Sequence, residues 1–70
     1  MSSKEPCWAL VLRYIRDAGG PVSSARISED LGLDRHQVRG ALVRLRGEGH
    51  IERIPLGPGK AVWTVRGWNL

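Results

Sequence analysis

The chain has 70 residues, with 11 Lys and Arg against 7 Asp and Glu, a formal net charge of +4 and a sequence pI near 10.2. This length leaves room for one small domain, and its 41% hydrophobic residues suffice for one core. The lone Cys7 excludes an internal disulfide and a multi-cysteine metal site. We therefore expect a single domain over residues 1–70, with residues 1–5 as a flexible terminus.

The first predicted helix begins near Pro6 and is stopped by Gly19, Gly20 and Pro21. Its apolar residues recur with i, i+3, i+4, i+7 spacing, which places them on one face of a helix. These residues are Trp8, Val11, Leu12 and Ile15. The pattern predicts an amphipathic helix that packs on a core.

A short second helix is predicted from about Ala25 to Leu31, after a brief extended segment at Pro21 and Val22. Either Ser23 or Ser24 can cap its first turn with a side-chain oxygen. Gly32 follows, where it can end the helix in the left-handed conformation. The segment therefore reads as a helix that leads into a tight turn.

The third predicted helix begins after Asp34, and Gln37 completes a capping-box pattern with that residue. Gly47 and Gly49 end it. The apolar residues again repeat at helical spacing and are expected to face inward. They are Val38, Ala41, Leu42 and Leu45.

The pattern then changes from helical to extended, which predicts strands at Ile51–Ile54 and Ala61–Val65. Residues 55–60 hold two prolines and two glycines, and we expect them to interrupt both strands as a hairpin loop. Trp63 alternates with Ala61 and Val65, which favours packing beneath the hairpin over stacking on a ligand. The predicted fold class is α+β, with three helices and a C-terminal β-hairpin.

This order of elements resembles the winged helix-turn-helix family of DNA-binding domains, from about Trp8 to Val65. Gly32 occupies the turn of the pattern, and Ser28 stands where the family usually has alanine or another small residue. Apolar residues fall at the family's buried offsets. They are Ile27, Leu31, Leu33, Val38 and Ala41.

Positive charge is concentrated on the third helix, where residues 35–47 contain four arginines and no acid. At ~100° per residue, the face opposite the core presents His36, Arg39, Gly40, Val43 and Gly47. Arg35 and Arg46 lie on one flank of that face, with Gln37 and Arg44 toward the other. A basic face without acids indicates an anionic partner rather than an ordinary solvated surface.

The resemblance implies that the third helix enters the major groove of double-stranded DNA and that the hairpin, or wing, lies along the phosphate backbone. Exposed Val43 is placed to touch a thymine methyl group. The second helix is expected to contact the DNA phosphate backbone next to the third helix. The predicted nucleic-acid-binding residues are Ser24, Arg26, Arg35, His36, Arg39, Val43, Arg46, Arg53 and Lys60.

We therefore interpret the chain as a DNA-binding transcriptional regulator, such as a compact repressor or excisionase. The sequence leaves its oligomeric state open, with a homodimer and a larger protein complex as candidates. Two other uses of the fold stay open, namely RNA binding and assembly with proteins through Trp8 or Trp68. A domain for Z-form nucleic acid shares a hairpin tryptophan with Trp63, but Arg39 and Val43 replace the asparagine and tyrosine of that family.

Enzymatic activity has little support in the sequence. His36 and His50 have no nearby cysteine or carboxylate at a spacing suited to a metal or a nucleophile. We expect no cofactor and no small-molecule ligand. The run Trp8–Leu12 is too short to cross a bilayer and a signal peptide is lacking, so we predict a location in the cytoplasm, at the nucleoid, or in a nucleus.

Overall fold

Three helices followed by an antiparallel hairpin make up the fold in a computed structural model that describes residues 5–67. The helices are α1 (Cys7–Ala18), α2 (Ser24–Leu31) and α3 (Arg35–Gly47), and the strands are β1 (Ile51–Gly57) and β2 (Lys60–Val65). The α+β winged-helix arrangement that the sequence predicts is confirmed. Of the flexible terminus predicted for residues 1–5, residues 1–4 lie outside the described residues, and so does Trp68, for which a protein contact is predicted.

The core lies where the three helices meet the start of the hairpin. Six of its eight buried side chains come from α1 and α3, at positions that the helical spacing predicts, and α2 and β1 contribute one each. The eight are Val11, Ile15, Ile27, Val38, Ala41, Leu42, Leu45 and Ile51. Trp8 and Leu12 are only partly buried at the edge of this cluster. The centre of the domain therefore consists of aliphatic side chains, with aromatic rings around it.

Glycines end the first two helices in the left-handed conformation, with φ of 73° at Gly19 and 67° at Gly32. This conformation strains residues that have a Cβ, so glycine is favoured there. Of the two candidate caps for α2, the structure uses Ser23, whose Oγ accepts a hydrogen bond from the Arg26 backbone N at 3.2 Å. The helix consequently begins at Ser24, one residue earlier than predicted.

The turn between α2 and α3 is fixed by two side chains. Ser28 Oγ donates to the Leu33 carbonyl at 2.6 Å, while the Leu33 backbone N donates to the Ser28 carbonyl at 3.1 Å. At the start of α3, Gln37 Oε1 accepts from the Asp34 backbone N at 3.0 Å, as the capping-box pattern predicts. Ser28 thus makes a hydrogen bond that alanine, usual at this position, would lack.

The hairpin is attached to the helices through Val22, between α1 and α2. Val22 forms an antiparallel bridge with Trp63, with backbone N–O distances of 2.9 and 2.7 Å. Trp63 is half-buried and packs against the core, as predicted. Strand β2 therefore has Val22 on one side and β1 on the other. In the part of the chain described, β1 is the outer strand of the wing.

The predicted loop at residues 55–60 is wrong, because β1 continues through Pro55 to Gly57 and the turn contains only Pro58 and Gly59. Proline is tolerated on an outer strand, where its missing N–H would have faced solvent. Pro55 pairs with Ala61, and Gly57 pairs with Lys60, so Leu56 is an extra residue in a β-bulge. The wing is therefore longer and more regular than the sequence predicts.

Candidate nucleic-acid interface

An open groove of about 800 Å³ separates the wing from α3 and the start of α2. We call it the α3–wing groove. Its lining comes from the first turn of α2, the N-terminal half of α3 and both strands of the hairpin. The groove brings together six of the nine predicted site residues. These six are Ser24, Arg35, His36, Arg39, Arg53 and Lys60.

The lining of the α3–wing groove carries four cations and no Asp or Glu. None of the ion pairs within residues 5–67 involves these cations, which are Arg35, Arg39, Arg53 and Lys60. Like charges that line one concave surface repel one another and raise the local concentration of anions. The groove is thus an electropositive cleft whose cations are available to an external anion.

Arg46 and Val43 continue the exposed face of α3 beyond the groove. Arg35, Arg39 and Arg46 fall within ~40° of one another around the helix axis, at ~100° per residue. Val43 lies beside them with 62% of its surface exposed. Arg46 forms no ion pair with the residues described. The face therefore presents three arginines and one aliphatic side chain to solvent.

Arg26 stands apart from the other predicted site residues. Its Nε lies 3.6 Å from Asp30 Oδ2, one turn further along α2, and it does not line the groove. Asp30 also accepts a hydrogen bond from the Tyr14 hydroxyl of α1. This hydrogen bond raises the pKa of Tyr14 above 10.0, and burial adds to the effect. Arg26 is thus held in a network on the α1–α2 side of the domain.

The groove also contains side chains that are not among the nine predicted site residues. Leu56 lines it from the wing with 65% of its surface exposed, and part of Trp63 reaches it from beneath. The prediction of a loop at residues 55–60 hid the position of Leu56. A leucine between two nearby prolines at the end of a hairpin is the signal that could have found it.

No helix in residues 5–67 is both long and apolar enough to span a bilayer. Over the same residues, no group of three His, Cys, Asp or Glu side chains is placed to hold a metal ion.

The three helices, the Val22 bridge and the hairpin with a groove beside α3 define a winged helix-turn-helix domain. The model of one family, described as FaeA-like protein, matches residues 9–67. The chain belongs to this FaeA-like family, which is a family of regulator-type winged-helix domains and not of enzymes. No individual curated protein matches the chain significantly.

Proposed function

We propose that the protein binds double-stranded DNA as a small transcriptional regulator, with α3 in the major groove and the wing on the adjacent backbone. The observation that carries this proposal is the α3–wing groove, which has four cations without ion-pair partners and no acid in its lining. Phosphates are the anions that such a cleft attracts over an extended surface. Membership of a family of regulator-type domains supports the same conclusion.

The dimensions of α3 suit the major groove of B-form DNA. A helix with its side chains is ~10–12 Å wide, and the major groove is about 12 Å wide. His36, Arg39 and Val43 project from the N-terminal and central turns on the exposed face. We assign these three to base edges, with Arg39 suited to a guanine through two hydrogen bonds.

Phosphate contacts are assigned to the residues around this helix. Arg53 and Lys60 approach from the wing, and Ser24 approaches from the start of α2. The Ser23 hydroxyl caps α2, whereas Ser24 is exposed at its first turn. Arg35 and Arg46 extend the basic face along α3, and Arg26 reaches a phosphate only by leaving Asp30. These contacts fix the position of the protein on DNA without reading its sequence.

Selection from a random duplex library tests this function directly. We expect a recovered sequence motif, and an inverted repeat would show that two copies bind together. Affinity for the selected duplex is then measured against salt concentration. Release of counterions from ~4–6 phosphates gives a log-log slope of roughly −4 to −5. The absence of any selected motif, together with a salt-independent affinity, would contradict the proposal.

A further inference from the structure

Leu56, at the end of the wing, is a mostly exposed apolar residue. With Val43, it is one of two large hydrophobic residues that are mostly exposed among those the structure describes, at 65% and 62% respectively. Val43 is already assigned to base contact on α3, but Leu56 has no role in phosphate binding. Apolar surface of this kind gains from leaving water only when a partner covers it.

The backbone around Leu56 has few accessible conformations. Leu56 is the extra residue of the bulge between Pro55 and Gly57, where it has no partner across the hairpin. Pro55 fixes its own φ, and the next turn has Pro58 followed by Gly59 with φ of 70°, a sequence typical of a type II turn. A side chain on such a stiff segment is presented at a small further cost in conformational entropy.

The surroundings of Leu56 indicate what covers it. It lines the α3–wing groove together with Arg53 and Lys60, neither of which is ion-paired in the described part of the chain. A hydrophobic protein surface laid on this tip would have to bury those two cations or leave them unpaired. The minor groove of DNA offers both features that the tip needs, with phosphates on its rims and apolar sugar and base surfaces within.

We propose that Leu56 inserts into the minor groove beside the site read by α3, where it separates a base step and bends the duplex. This inference rests on the proposed function. Arg53 and Lys60 would contact the phosphates that flank the insertion. Pyrimidine–purine steps unstack most easily, so the preferred target carries such a step at the position of the wing. Leu56 thereby contributes to specificity through DNA deformation instead of hydrogen bonding.

The test uses the selected duplex, at about 30 base pairs, with fluorophores at its two ends so that energy transfer reports bending. A fluorescent adenine analogue placed at the step beside the wing reports unstacking. Wild-type protein should bend the duplex by roughly 20–90° and increase the analogue's fluorescence. Leu56→Ser should abolish both signals and weaken binding about 10-fold, as expected when one leucine is no longer buried.

Two further variants serve as controls. Leu56→Met keeps an apolar side chain of similar volume and should retain the bend. Val43→Ser changes the other exposed hydrophobic residue, and should weaken binding while leaving the bend of the bound duplex intact. Both positions are exposed, so circular dichroism should show an unchanged fold in each variant.

The outcomes separate this inference from the function on which it rests. If wild-type protein selects and binds a duplex that remains straight, the proposed insertion of Leu56 is wrong, while the proposal of DNA binding is retained. An unchanged bend in Leu56→Ser would also overturn the proposed insertion, and a protein partner would then be the alternative that covers Leu56. If wild-type protein binds no duplex, the proposed function itself has failed.

Discussion

The arginines of this chain have different surroundings on the two sides of the domain. On the α1–α2 side, Arg13 and Arg26 each lie against a carboxylate, at 2.7 Å from Glu5 and 3.6 Å from Asp30. On the side of the α3–wing groove, Arg35 and Arg39 have no such partner among residues 5–67. Arg16 of α1 also lacks an ion pair within these residues, so neither net charge nor a single unpaired arginine identifies the interface; the clustering of four unpaired cations in one groove does.

The positions of the acids explain this contrast. Arg26 and Arg44 each have an acid four residues later on the same helical surface, Asp30 and Glu48. Arg44 also lies over the ring of Trp8, 4.9 Å from its centroid. Residues 35–47 contain no acid, so the partner of Arg44 comes from just beyond α3. Exposed pairs of this type add little stability, but they occupy the cation.

Replacing one arginine on each side gives the largest expected difference. Arg39→Ala should weaken binding to the selected duplex by ~1–3 kcal/mol, because the side chain is assigned to a base edge. Arg13→Ala removes the same charge from the α1–α2 side and should change affinity about twofold or less, through long-range electrostatics alone. Both affinities are measured by fluorescence anisotropy at one salt concentration. Equal losses would mean that the groove has no special role.

A sharper version of the comparison stays within the groove. Lys60→Ala should lower the affinity for selected and unrelated duplexes alike, and should reduce the magnitude of the salt slope by ~1, because one phosphate contact is lost. Arg39→Ala should lower the affinity for the selected duplex more than for unrelated ones. Titrations of both variants on both duplexes measure these effects. A sequence-dependent loss in Lys60→Ala would place Lys60 on bases instead of the backbone.

Most of the fold could be predicted from local signals in the sequence. Gly19 and Gly32 mark helix ends, and the apolar spacing in α3 predicts which of its residues are buried. The end of β1 could not be predicted in the same way. Proline is excluded from a strand that has neighbouring strands on both sides, but it is tolerated on an edge strand such as β1. That condition depends on the pairing of Val22 with Trp63, which are distant in the sequence.

The site could be predicted less completely than the fold. The absence of acids in residues 35–47 predicts arginines without ion pairs, which holds within residues 5–67 for Arg35, Arg39 and Arg46 but not for Arg44, whose partner Glu48 follows the helix. The i, i+4 spacing of Arg26 and Asp30 also predicts their pairing, whereas the family resemblance places Arg26 in the site. The pairing of Arg13 with Glu5, eight residues earlier, had no comparable local signal. Tertiary geometry decides such pairs.

A smaller effect is expected at the turn that joins the two sides. Ser28→Ala removes the 2.6 Å hydrogen bond to the Leu33 carbonyl and should lower the free energy of unfolding by ~1 kcal/mol. Ser24→Ala is the matched control, since Ser24 is exposed and makes no cap hydrogen bond, and its stability should stay near wild type. Urea denaturation measures both. If Ser28→Ala is as stable as wild type, the hydroxyl does not hold the turn.

The smallest expected effect is a pH dependence confined to the α1–α2 side. Tyr14 is the one tyrosine of the chain, so the tyrosinate absorbance reports it alone. Its hydrogen bond to Asp30 raises its pKa, and we expect a titration midpoint above 10.0. A group with a raised pKa stabilises the folded state fully below its ordinary pKa. The stabilisation is then lost as pH rises from 10.0 through the raised value.

Two variants should move the Tyr14 pKa in opposite directions. Asp30→Ala removes the hydrogen-bond acceptor and its negative charge, so the midpoint should fall toward 10.0. Arg26→Ala removes a cation that lowers the pKa of Tyr14, so the midpoint should rise further. Shifts of the same sign would show that Arg26 and Asp30 do not act on Tyr14 as the structure indicates. Opposite shifts would establish that Arg26 is engaged on its own side, where DNA must compete with Asp30 to use it.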